Sequence, residues 1–176
     1  MHIRLASPRD RDSVRSLHLS AFAEEERQEV ATLAVNLLAE KTIPETFALV
    51  AEADNIVVGH IAFSPVSRVS TDNYQGYILA PLAVHPEFQK RRIGASLIKT
   101  GIEHLSRLDV DIVFVYGDPK YYGRFGFDAD IAVEYAPPYQ LQYPFGWQAK
   151  PMTDGKTFPS SGKLTCVQSL RDPQLW

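Results

Sequence analysis

A chain of 176 residues, 45% hydrophobic and 22% charged, has apolar material for one well-filled core and not for two, so a single soluble domain over residues 1–176 is expected. A net charge of -3 weighs against wholesale nucleic-acid binding, and one cysteine, Cys166, excludes an intrachain disulfide and gives no basis for a thiolate metal cluster, so no metal site is expected. The N-terminus is charged from the start and no apolar run approaches the roughly 18 residues of a membrane span, which predicts a cytoplasmic protein that engages neither nucleic acid nor membrane.

His2 to Leu5 alternates polar and apolar as a short strand. Ser7-Pro8-x-Asp10 then offers an N-cap, a proline at the first helical position and an early acid, predicting a helix to about Phe22 with Val14, Leu17, His18 and Ala21 on its inner face. With no second metal-type residue beside it, His18 reads as a packing residue whose ring is satisfied. A second helix is expected over Glu24 to Glu40, its inner side formed by Val30, Leu33, Ala34, Leu37 and Leu38. The AFAEEER segment between the two helices is either a lip over a substrate or a solvated helix start. Phe47 to Ala53 and Ile56 to Val66 are β-branched and apolar around Asp54-Asn55, the chemistry of a tight antiparallel hairpin. Gly59 marks a bulge or a close backbone approach there, and Ser67 to Gln75 forms a polar, exposed connection.

The informative stretch is Gly76 to Leu108: an apolar strand, a short basic turn and an amphipathic helix. A strand and a glycine-containing turn leading into a helix N-terminus gather free backbone N–H groups and the positive end of a helix dipole at one point, which suits a phosphate. Lys90, Arg91 and Arg92 lie in the turn, and Gly94 sits where a side chain would hold a ligand off the backbone. The strand contains Pro81, which cannot donate to a ladder and marks a place where neighbouring strands part. If the neighbour diverges beyond it, the backbone groups of Leu82, Ala83 and Val84 are left for a ligand to pair with, as in strand addition to a sheet edge.

The next helix carries Ile93, Leu97, Ile98, Gly101, Ile102, Leu105 and Leu108 at helical spacing, and Val110 to Tyr116 reads as a buried strand parallel to the central one. Asp118-Pro119 opens a short helix closed by Gly126. Beyond it, Ile131 to Tyr135, Trp147 to Met152 and Lys163 to Gln168 are expected as strands. Tyr139, Leu141, Tyr143, Phe145 and Trp147 recur at every second position, either lining an acceptor pocket or packing.

LAPLAVHPEFQKRRIGASLIKTGIEHL followed by VFVYGDPKYYGRFGF resembles the GNAT superfamily of acyl-CoA-dependent N-acyltransferases, and the GDP-x-YY-x-x-FGF segment is similar to its YhbS-like branch. In element order the resemblance covers roughly Ile3 to Phe127. It implies an α/β (α+β) fold: a mixed, mainly antiparallel central sheet of about seven strands, splayed at its middle, with helices on both faces. It implies acetyl-CoA as cosubstrate and direct acetyl transfer to a primary amine on a small molecule or protein, with a catalytically inactive acyl-CoA sensor as the alternative. The partners are then an acyl-CoA and an amine acceptor, with a homodimer left open. The pantetheine arm would pair with Leu82, Ala83 and Val84, and the phosphates would rest on Gln89, Lys90, Arg91, Arg92, Ile93, Gly94 and Ala95, with Lys90 or Arg91 toward the ribose phosphate. Arg92 stands where the family usually has glycine. Tyr122, four residues before Gly126, matches the tyrosine that protonates the departing thiolate, with Tyr121 beside it the weaker candidate. The central strand offers no carboxylate as general base, which leaves an ordered water, the favoured choice, or Glu87 or Asp118.

Overall fold

The computed structural model describes residues 1–68, 75–153 and 163–176. The first strand, β1 (His2–Leu5), is followed by a turn of 3-10 helix at Pro8–Asp10 and then α1 (Arg11–Ala21) and α2 (Arg27–Ala39). Asp10 accepts the Ser7 backbone N–H at 2.7 Å and so holds the start of α1, while Arg4 bridges Asp10 and Glu52 at 2.7 and 2.6 Å. Val14, Leu17 and His18 are buried as the spacing predicts. The second helix starts later than expected, at Arg27, because residues 24–26 form a turn, and it buries a wider face that adds Ala31 and Val35.

Next come β2 (Phe47–Ala53) and β3 (Ile56–Arg68), which form the expected hairpin. Asp54 and Asn55 both take positive φ, 51° and 62°, the conformation a two-residue hairpin turn requires. The register shifts between Ala51 and Glu52, opposite the Gly59 region. A Cβ on Gly59 would meet Ile93 and Leu97 side-chain atoms at 2.9 Å, so this glycine also lets a helix lie close on the sheet. Because β3 runs on to Arg68, the expected connection begins later; its residues 69–74 lie outside the described ones.

The remaining elements are β4 (Gly76–Val84), α3 (Ile93–Ser106), β5 (Ile112–Tyr116), α4 (Pro119–Tyr122), α5 (Ala129–Ala132), β6 (Trp147–Pro151) and β7 (Leu164–Thr165). The sheet has seven strands in the order β1-β2-β3-β4-β5-β6, with β7 pairing to the end of β3. Every pairing between these strands is antiparallel except β4 with β5, which α3 connects as a crossover. One face packs Ile61, Phe63, Tyr77 and Leu79 against Ile93, Leu97, Ile98 and Leu105 of α3. The other packs Ala62, Ile78 and Phe114 against Leu33 and Leu37 of α2, together with Trp147 and Trp176. The mixed, mainly antiparallel sheet with helices on both faces is therefore as expected.

Two expected strands differ. Ile131 to Tyr135 is an apolar, partly β-branched run, yet Ala129–Ala132 is a helical turn, because the Asp128 side chain caps it by accepting the Asp130 N–H at 2.9 Å. Of Lys163 to Gln168 only Leu164–Thr165 pairs as strand, and Gln168–Leu170 turns into 3-10 helix, where Glu40 accepts the N–H groups of Gln168 and Ser169 at 2.8 and 3.0 Å.

Candidate active site

Parallel pairing of β4 with β5 runs from Gly76↔Ile112 to Leu79↔Val115 and stops, whereas pairing with β3 continues to Val84↔Gly59. The β4 register shifts across the Ala80-Pro81 step, where proline has no N–H to give. The sheet is thus splayed between β4 and β5 at their C-terminal ends. His85 N–H donates to Val58 O at 2.9 Å, and the two-residue repeat of an antiparallel ladder then turns the polar groups of Ala83 toward β3 and those of Leu82 and Val84 away from it. Leu82 and Val84 line a cleft of about 500 Å³; Ala83 does not.

The same cleft is lined by Gln89, Lys90, Arg92, Ile93, Gly94 and Ala95. Its floor is the start of α3. The first intrahelical bond there runs from Ser96 N to Arg92 O at 2.9 Å, and no side chain caps the helix, so the N–H groups of Ile93, Gly94 and Ala95 have no partner within it. The turn reaches this position through two left-handed residues, Lys90 at φ 62° and Arg92 at φ 63°. That conformation explains why glycine suits the position of Arg92, and its retention by a larger residue is the kind of backbone strain found at ligand sites. Gln89 ties the turn to β4 by donating from its side-chain amide to Val84 O at 3.2 Å. Arg91 points elsewhere, its guanidinium 4.9 Å above the Phe88 ring.

Two cleft residues were not expected there, Tyr121 and Arg124. A Cβ on Gly94 would lie 2.5 Å from the Tyr121 hydroxyl, so Gly94 opens room for both a ligand and this phenol. Arg124 stacks on the Tyr121 ring at 4.7 Å and adds a cation at the rim. The tyrosine-arginine spacing within one short helical segment was the available signal. Tyr122 faces another way. Its ring packs on Gly117, where a Cβ would come within 2.5 Å of it, and meets Phe127 edge-on at 5.9 Å. Gly117 lies two residues beyond Val115, the last β5 residue paired to β4, so Tyr122 stands where the strands part. Burial, and secondarily the neighbouring Tyr121, push its phenol well above the ordinary tyrosine range.

Of the carboxylates considered as base, Asp118 caps α4 by accepting the Lys120 N–H at 2.9 Å, and Glu87 is exposed and does not line the cleft. Cys166 is buried in the opposite core and burial pushes its thiol up, which leaves it a poor nucleophile. A larger hollow of about 730 Å³ near the end of α2 shares no residue with the cleft.

The profile of the Acetyltransferase (GNAT) family matches residues 11–127. The chain belongs to this family. Among GNAT proteins it is 32% identical over 162 residues to YjhQ of Escherichia coli strain K12, an uncharacterized N-acetyltransferase, over 90% of this chain and 87% of that one. The crystal structure of YhbS, a GNAT family N-acetyltransferase from Escherichia coli, in complex with CoA superposes with a TM-score of 0.83 at 25% identity, covering 97% of this chain and 92% of that one. A GNAT family acetyltransferase from Brucella melitensis in complex with acetyl-CoA gives 0.75 at 30% identity, with 96% of each chain covered. Similarity to the YhbS-like branch, first visible in GDP-x-YY-x-x-FGF, thus extends over nearly the whole chain. Among the described residues no helix is long and apolar enough to cross a membrane.

Proposed function

We propose that this GNAT protein transfers an acetyl group from acetyl-CoA directly to a primary amine. The observation that carries the reading is that the uncapped start of α3 and the unpaired end of β4 open into one cleft. The residues suit the cosubstrate. Free N–H groups and Lys90 serve a pyrophosphate and ribose phosphate, a Cβ-free Gly94 admits them, and the outward edge of Leu82 and Val84 accepts an amide-bearing arm as an added strand.

The reaction needs an uncharged amine held against the thioester carbon, a contribution on the order of 7 to 11 kcal/mol from proximity alone. As the nitrogen–carbon bond forms and the carbon–sulfur bond breaks, Tyr122 donates its phenolic proton to the departing sulfur. Its burial keeps that proton in place at neutral pH, and the same low-polarity setting raises the proton affinity of the thiolate it meets. The acceptor enters from the other side of Gly117, where a hollow of about 500 Å³ is lined by Glu26, Tyr116, Asp118, Tyr143 and Phe145. Carboxylates and aromatic faces together suit a protonated amine. Tyr143 and Phe145 thus follow the acceptor reading of the aromatic repeat, whereas Leu141 and Trp147 pack in the core. Incubating the protein with acetyl-CoA and a panel of primary amines while following free thiol tests the proposal. Amine-dependent CoA release supports it; acetyl-CoA binding without release for any amine would leave the sensor reading in its place.

A further inference from the structure

The polar side chains buried in this fold are of more than one kind. His18 and His60 are wholly buried and face each other, His18 Nε2 lying 3.0 Å from His60 Nδ1. Their outer nitrogens have no hydrogen-bond partner, and neither does the buried Ser64 hydroxyl, so the satisfied ring expected of His18 is not what the structure holds. All three are sealed, and they line neither the cleft nor the acceptor hollow. Gln148 of β6 is buried to nearly the same degree, 1% exposed, but both N–H groups of its amide are used. The side-chain nitrogen donates to Gly117 O at 3.1 Å and to Gly146 O at 3.3 Å. Both partners are carbonyls, which fixes the end of the amide that faces them.

Those carbonyls lie where the elements of the site join. Gln148 is across from Val115, the last β5 residue paired with β4, and cross-strand partners share a face of the sheet. That is the face of Val113, Val115 and α3, on which Tyr122 and Phe127 also pack. Beyond Tyr116↔Trp147 the ladder adds one more bond, Gly117 N–H to Gly146 O at 2.9 Å, and Gln148 supplies the bond to Gly117 O. Just after Gly117 begins α4, whose single turn is too short to hold its own position. Asp118 caps it, and Asp118 O accepts the N–H groups of Tyr121 and Tyr122 at 3.0 Å each. The Tyr122 ring then folds back onto Gly117, where a Cβ would lie 2.5 Å from it. The residue that Gln148 grips is therefore both the root of the turn that carries Tyr122 and the floor under its ring. Gly117 and Gly146 also form part of the wall of the acceptor hollow.

We propose that Gln148 is a positioning residue for acetyl transfer: by holding the Gly117 carbonyl from behind the acceptor wall, it sets the Tyr122 hydroxyl at the departing sulfur. The inference rests on the acetyl-transfer reading and on Tyr122 as its acid. Gln148 lines neither the cleft nor the acceptor hollow, so it touches neither substrate and handles no proton. Its effect is geometric. A proton donor must come within hydrogen-bond reach of its acceptor, about 2.6 to 3.2 Å, and a displacement of about 1 Å can cost on the order of 10²-fold in rate. A site this buried is ordinarily occupied by an apolar residue, so the amide marks a requirement of the backbone it holds. A side chain of the same length without the amide would leave Gly117 O short of its donor and the turn beyond it free to shift.

The test is a double-mutant cycle between Gln148→Met and Tyr122→Phe, measured with an amine that the parent acetylates. Methionine keeps the length of the side chain and removes its donors, and volume-conserving swaps disturb packing least. Gln148→Met is expected to lower kcat by about 10- to 10²-fold and acetyl-CoA affinity by no more than about threefold, because the start of α3, not α4, carries the phosphates. In the Tyr122→Phe background the same substitution should cost less than about twofold, since no phenol is left to place. A purely structural Gln148 gives the opposite result, the two losses multiplying. Gly117→Ala displaces the same ring directly without altering the amide, which keeps the test open should Gln148→Met not fold; its loss in kcat should likewise vanish beside Tyr122→Phe. A folded Gln148→Met protein with turnover within about threefold of the parent, or with losses that multiply, would overturn the positioning role and leave acetyl transfer standing. Parental turnover in Gly117→Ala would do the same. A parent that binds acetyl-CoA yet acetylates no amine would overturn the transfer reading and the positioning role with it.

Discussion

The start of α3 and the His18–His60 pair both hold polar groups without protein partners, but one set faces an open cleft and the other is sealed under the sheet. In the cleft, water satisfies the Ile93, Gly94 and Ala95 N–H groups until an anion replaces it, so leaving them unpaired costs little. Beneath β3 the same deficit is expensive, since a buried unpaired polar group costs about 1 to 3 kcal/mol. Openness is the mark of a binding surface, whereas a sealed deficit persists only if something compensates for it. The two regions meet at the Ala80-Pro81 step of β4, and Tyr122 stands where β4 and β5 part.

The largest effect is expected at that point. Tyr122→Phe should lower kcat and kcat/KM together by about 10²- to 10⁴-fold with acetyl-CoA affinity nearly unchanged, because a proton donor to the leaving sulfur acts in the transition state. Steady-state kinetics beside a binding titration would check it, and turnover within about threefold of the parent would reduce Tyr122 to a packing residue. A middle-sized effect should separate the basic residues of the open region. CoA should bind more tightly than dephospho-CoA by roughly 1.5 to 3 kcal/mol, the worth of a charge-assisted hydrogen bond. Lys90→Ala should erase that difference and Arg91→Ala, whose side chain is stacked on Phe88, should not. The reverse pattern would place Arg91 on the ribose phosphate.

The remaining effect belongs to the sealed region and appears in stability, not in turnover or affinity. Both ring pKa values are depressed in the folded protein, so the unfolded chain binds more protons below about pH 6.5, and stability present above that value is lost as the pH falls toward about 4. The slope is roughly 1.4 kcal/mol per pH unit for each histidine that remains neutral when folded. Asp10, held down at about 2 chiefly by Arg4, adds its own loss only at still lower pH. Urea unfolding at pH 7 and pH 5 should show the difference in the parent and not in His18→Leu/His60→Leu; equal midpoints in the parent would mean that the rings are already protonated or solvated.

The open region was legible in the sequence because its cause is local. Pro81 has no N–H wherever it is placed, and a strand, a Gly94-bearing turn and a helix start can be read along consecutive residues. Even there, the choice between Lys90 and Arg91, or the turning of Ala83 toward β3, depended on side-chain direction and ladder parity that a linear pattern does not contain. The sealed pair was not legible, since His18 and His60 are 42 positions apart and meet only when α1 packs on β3. Tyr121 ranked below Tyr122 in the sequence, and its place in the cleft was hidden for a related reason: the room for its hydroxyl there is the missing side chain of Gly94 on a different element. Farther on, the apolar run of Ile131 to Tyr135 imitated a strand, and the Asp128 cap, a helix signal already present in the sequence, outweighed it.

The central claim is that the open start of α3 receives the acetyl-CoA phosphates, and calorimetric titration of acetyl-CoA into the parent and into Gly94→Glu tests it most directly. The glutamate would press its Cβ onto the Tyr121 hydroxyl and bring a negative charge to the unpaired N–H groups, while circular dichroism confirms an intact fold. The account predicts clear binding by the parent and a loss on the order of 100-fold or more in the variant, equivalent to about 2.8 kcal/mol. Equal affinity in a folded Gly94→Glu protein would contradict it.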